Sequence, residues 1–141
     1  MTLSAESATI ASILGQYRTV AVVGLSPKTH RDSYEVAQVL QEQGWRIIPI
    51  NPHASQILGE TVYPSLQEAA RHHPIELVNV FRNSADVPPV VDDAIVIGAK
   101  AVWMQLGVAH EDAAQKARAA GLAVVQNRCL KVEFRNWQRR A

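Results

Sequence analysis

The chain has 141 residues, enough for one domain with its own core. Its 48% hydrophobic and 19% charged residues describe a globular protein, and a net charge of +1 argues against a nucleic-acid binder. The single cysteine, Cys129, excludes an internal disulfide and a cysteine-based metal cluster. The opening MTLSAESATIASILGQY has no basic n-region, and no apolar run approaches about 18 residues. Neither a signal peptide nor a membrane span is therefore expected, and residues 1–141 are expected to form one soluble, cytoplasmic domain.

Within an opening segment 1–16, residues 4–15 read as a leading helix with Ile10, Ile13 and Leu14 on one face. TVAVVGL (19–25) is a short β-branched run that suits a strand buried on both faces. A helix follows, with Asp32 as the expected cap, Glu35 in capping-box spacing and Gly44 as the stop. WRIIPIN (45–51) reads as a second strand, weakened by Pro49, which lacks a ladder donor. SLQEAARHH opens on another capping box, Ser65 and Glu68, and gives a two-turn helix with His72 and His73 expected near its last carbonyls.

ELVNVF (76–81) is the third strand, and Pro88 and Pro89 fit the first turn of a helix running to Gly98. AVWMQLG (101–107), a helix over 111–120 and LAVVQN (122–127) complete the alternation. Residues 132–141 are expected to be a C-terminal tail packed by Phe134 and Trp137 rather than a nucleic-acid contact. Strict strand–helix alternation predicts an α/β, three-layer, doubly wound parallel sheet of about five strands, Rossmann-like. Ligands of such sheets bind beyond the C-terminal strand ends, here expected at a switch point between the first and fourth strands.

Five loops meet at that edge. The first offers Gly24, Leu25, Ser26 and Lys28, followed by Arg31 and a helix N-terminus, a set that suits a phosphate. A lone glycine serves an ordinary turn equally well. The second loop puts Asn51 and Pro52 where a NAD-binding unit carries an acidic residue for the ribose diol. A neutral amide there tolerates a phosphorylated ribose, which points to NADP or coenzyme A; Asn-Pro also simply starts turns. Phe81 and Arg82 end the third strand, Trp103, Met104 and Gln105 the fourth, and Asn127, Arg128 and Cys129 the fifth. Trp103 and Met104 are of types found more often in cores than in sites. The histidines and the adjacent Asp92 and Asp93 lack ligand spacing, so no metal site and no catalytic constellation is expected.

Taken in order, VAVVGLSPK, GWRIIPINP, ILGETVYPSL, VNVFR, AKAVWMQLG and NRC resemble the stand-alone CoA-binding protein family, over residues 17 to 131. That domain is similar to the one that opens the succinyl-CoA synthetase α subunit. The resemblance implies a Rossmann-like fold that binds coenzyme A or acyl-CoA. Gly24, Ser26 and Lys28 would hold the diphosphate, and Asn51 and Pro52 the adenosine side. Phe81 and Arg82 would meet the nucleotide or the start of pantetheine, with Met104, Gln105 and Asn127 to Cys129 at the far end. Position 127 is Asn where the family more often has Asp.

The ligase domain that supplies a phosphorylated histidine in the synthetases has no counterpart in this sequence. A non-catalytic carrier, sensor or partner module is the expectation, with a protein partner unspecified. The alternative is a small NADP-linked oxidoreductase. A mixed disulfide between Cys129 and coenzyme A is a further expectation, set against an inert buried thiol.

Overall fold

The computed structural model describes residues 4–140. Helix α1 (Ala5–Gln16) is capped by the Ser4 hydroxyl, which accepts from the Ser7 N–H. Strand β1 (Thr19–Val23) leads through the first loop into α2 (Asp32–Glu42) and then β2 (Arg46–Ile50). A short antiparallel hairpin follows, β3 (Gln56–Ile57) and β4 (Glu60–Thr61). Then come α3 (Leu66–Ala70), β5 (Leu77–Val80), a 3-10 turn at Ser84–Asp86, α4 (Val87–Val96) and β6 (Ala101–Met104). The order closes with α5 (Glu111–Ala119), β7 (Ala123–Val125) and α6 (Leu130–Arg140).

Five strands form one sheet in the order β2-β1-β5-β6-β7, all parallel. Residues alternate between its faces. Val20 and Val22 of β1 join the layer that α1, α2 and α6 cover, with Leu14, Leu40, Trp103 and Phe134. Ala21 and Val23 join the opposite layer, with Leu66, Val91 and Ala117 of α3, α4 and α5. The three-layer, doubly wound reading of the sequence therefore holds. Pro49 is accommodated because β2 lies at the sheet edge, where its outer side meets only a single bridge from Ile50 to Tyr63.

Three expectations need correction. The order of the main strands reverses between β1 and β5, the first and third, not between the first and fourth. The stretch after β2 turns back as the β3–β4 hairpin, so no further strand extends that side. Arg31, not Asp32, is the N-cap of α2, and it makes no side-chain capping bond. His72 and His73 lie past the end of α3. His73 bridges the Tyr63 hydroxyl (2.9 Å) and the Arg46 guanidinium (3.2 Å) instead of the helix carbonyls. The C-terminal segment, expected to pack through Phe134 and Trp137, belongs to a regular helix, α6, whose Leu130 and Phe134 are buried, with Trp137 packed against the same core layer.

Candidate functional site

The C-terminal ends of β1, β5 and β6 open into a cleft of about 720 Å³. Its floor and walls come from the first loop and α2 (Gly24, Ser26, Lys28, Arg31), from Phe81 and Arg82, and from Gln105. Cys129, Lys131 and Val132 of the β7–α6 region close the other side. A smaller cavity of about 260 Å³ lies beyond Gly24 and Arg82, lined also by Pro52, Pro64, Pro89 and Val90. Gly24 and Arg82 line both. They mark the ridge at the switch point.

The first loop is folded by its own serines. The Ser33 hydroxyl, buried in the first turn of α2, accepts from the Ser26 N–H at 3.0 Å. The Ser26 hydroxyl accepts from the Lys28 N–H at 3.1 Å, and the Gly24 N–H goes to the Ile50 carbonyl. The early amides of this loop are thus largely used, and the donors left toward the cleft are those of the first turn of α2. No side chain caps that turn, whereas Ser4, Ser65 and His110 cap α1, α3 and α5. Lys28 and Arg31 form no ion pair among the described residues. The cleft also carries Asp32 and Glu35.

Glu35 is bonded by the Lys131 ammonium at 2.5 Å, which joins α2 to α6 across the cleft wall. That hydrogen bond and the charge of Lys131 hold the Glu35 carboxyl below its ordinary value of 4.5. Arg82 reaches Asp86 at 3.8 Å with both side chains substantially exposed, a pair of little energetic weight.

Of the fourteen candidates from the sequence, Gly24, Ser26, Lys28, Arg31, Phe81, Arg82, Gln105 and Cys129 come together around the cleft. Pro52 lines the smaller cavity. Leu25 and Met104 are fully buried and line neither. Asn51 is a brace: its Nδ2 donates to the Leu25 carbonyl at 2.9 Å and its Oδ1 accepts from the His53 N–H at 2.7 Å. Asn127 likewise ties loops together, its Oδ1 accepting from the Gly107 N–H at 2.7 Å. The Arg128 guanidinium turns to Glu6 of α1 at 2.6 Å, away from the cleft. Sequence reasoning missed Ser33, Leu106, Lys131 and Val132. The apolar spacing Leu130, Phe134, Trp137 was the available sign that a helix, and with it Lys131 and Val132, faces the sheet.

An open parallel sheet with its cleft at a strand-order reversal defines a Rossmann-like domain. Within that class the chain belongs to the CoA binding domain family, which matches residues 18–135. It is 38% identical to protein YneT of Bacillus subtilis strain 168 over 127 residues, 90% of this chain and 93% of that one. It is similar in structure to a hypothetical protein of Pyrococcus horikoshii OT3, with 35% identity, a TM-score of 0.89 and 98% of both chains covered. A dinucleotide-forming acetyl-coenzyme A synthetase of Ca. Korarchaeum cryptofilum shares the fold at 22% identity and a TM-score of 0.67. That likeness covers 78% of this chain and 26% of the synthetase. Among the described residues, no helix is long and apolar enough to cross a membrane.

Proposed function

We propose that the protein binds coenzyme A or an acyl-CoA across the switch point, as a non-catalytic carrier, sensor or partner module. The observation that carries this reading is the pair of cavities on either side of the Gly24–Arg82 ridge, with the uncapped start of α2 beside it. A ligand with a nucleoside at one end, a diphosphate in the middle and a long polar arm at the other matches that sequence of surfaces. The slot of Pro52, Pro64, Pro89 and Val90 takes the adenosine. Ser26, Lys28, Arg31 and Arg82, with the N–H groups of α2, hold the diphosphate. The arm runs past Phe81 toward Gln105 and Cys129. Membership of the CoA binding domain family supports the same ligand.

The test is calorimetric titration of the full chain with coenzyme A, NAD, NADP and ATP. Coenzyme A is expected to bind, and Arg82→Ala to weaken it about tenfold or more, the loss of one charge-assisted phosphate contact. Binding of NADP in its place would overturn the proposal and favour the oxidoreductase.

A further inference from the structure

Gln105 is a buried amide held by its oxygen end. The residue is only 5% exposed, and Oε1 accepts from the Leu130 N–H and from Asn79 Nδ2, both at 3.3 Å. A backbone N–H can only donate, and Asn79 Nδ2 donates also to the Trp103 carbonyl, so the orientation of the Gln105 amide is fixed. Its Nε2 forms no hydrogen bond among the described residues, and Gln105 lines the cleft. A nearly buried NH₂ group in a binding cleft is a donor waiting for an acceptor.

Next to it the cleft turns apolar. Among the described residues three large hydrophobic side chains are exposed, Val96, Leu106 and Val132. Leu106, 67% exposed, and Val132, 43% exposed, both line the cleft. Val108 also lines the cleft. The cations Lys28 and Arg31 stand at the β1 end of the cleft, and Gln105 and Leu106 at the β6 end, two strands away. Among the described residues, the cleft therefore carries free cations at its β1 end and a hydrogen-bond donor with apolar side chains toward its β6 end. The cation next to Val132, Lys131, is paired with Glu35.

We infer that the preferred ligand is an acyl-CoA thioester carrying a short apolar acyl chain, not free coenzyme A. This rests on the coenzyme A reading of the same cleft. Gln105 Nε2 donates to the thioester carbonyl, and the acyl chain lies against Leu106 and Val132. A free thiol is a weak hydrogen-bond partner and has no apolar chain to cover that wall.

Calorimetry with coenzyme A and hexanoyl-CoA on the full chain tests this. Hexanoyl-CoA is expected to bind at least about tenfold tighter, in keeping with burial of two to three methylenes. In the double variant Leu106→Ser, Val132→Ser, which changes exposed positions, that advantage is expected to shrink to what the carbonyl contact of Gln105 alone supplies. Gln105→Glu keeps an oxygen for Leu130 and Asn79 but replaces the donor, and is expected to weaken hexanoyl-CoA more than coenzyme A. Equal affinities in the wild type would overturn the acyl preference and leave coenzyme A binding standing. A preference undiminished in the double variant would overturn the apolar wall, and equal loss of both ligands in Gln105→Glu would overturn the carbonyl contact. Failure of both ligands to bind would overturn the coenzyme A reading itself.

Discussion

A Cβ added at position 24 would lie 2.2 Å from the Phe81 carbonyl oxygen, on a backbone with φ of +88°. The obstacle is main chain at the β1–β5 crossing and cannot swing aside. Gly24→Ala is therefore expected to cost about 3 kcal/mol or more, read from the urea midpoint. Ser33→Ala, which strands the Ser26 N–H, is expected to cost about 1–2 kcal/mol by the same measurement. The glycine that stands out in the sequence is thus demanded by strand packing before any phosphate is considered. The direction of a side chain is what the sequence conceals at this scale. Asn51, Asn127 and Arg128 sit at strand ends as expected, yet their polar atoms are spent on Leu25, Gly107 and Glu6. Asn127 has a physical reason to be Asn, since its φ of 57° lies in the left-handed region that Asn and Asp tolerate.

Among the elements, those with period and caps in the sequence were legible and those set by tertiary contact were not. Ser65 caps α3 through the Glu68 N–H, and Pro88 and Pro89 sit in the first turn of α4 as their missing N–H groups allow. The β3–β4 hairpin, two residues a strand, carries too little pattern to announce itself. Helix α6 was hidden by its charge, since its apolar residues face only one way. Phe134 packs edge-on to Trp45 with ring centroids 5.2 Å apart, and Arg18 stacks over the Trp45, Phe134 and Trp137 rings. Phe134→Ala is expected to lose about 3–5 kcal/mol of unfolding free energy, whereas residues of a loose tail would lose almost none.

The contact past the end of α3 is sensitive to pH. Arg46 can only donate, so His73 Nδ1 accepts and Nε2 carries the proton toward Tyr63. Burial, then the charges of Arg46 and His72, hold the His73 imidazole below its ordinary 6.5, against the opposing pull of Glu60. The unfolded chain then takes up a proton before the folded one does. Stability from this site is full above about pH 6.5 and declines as the pH falls toward the folded value. The melting temperature is expected to drop on acidification through that window, and less steeply in His73→Gln.

For the molecule as a whole, strand–helix alternation made the layered sheet legible, while the position of the switch point depended on which way the chain turned after β2. Loops from β1, β5 and β6 and the start of α6 all meet in one cleft, so occupancy links parts of the chain distant in sequence. A ligand at 100 times its Kd is expected to add about 2.7 kcal/mol to unfolding, seen as a melting shift. Four cations, Lys28, Arg31, Arg82 and Lys131, face the cleft against two carboxylates, Asp32 and Glu35. The affinity for an anionic ligand is accordingly expected to fall as salt is raised.

The hydrogen bond from Leu130 to Gln105 gives this linkage a spectroscopic handle. The same carboxamide that faces the cleft with its nitrogen receives the first N–H of α6 with its oxygen. When a carbonyl docks on that nitrogen, the amide polarises and the oxygen becomes a better acceptor. The Leu130 amide proton is therefore an internal reporter of cleft occupancy. Its resonance is expected to move downfield and its exchange with solvent to slow on titration with an acyl-CoA, without Leu130 touching the ligand.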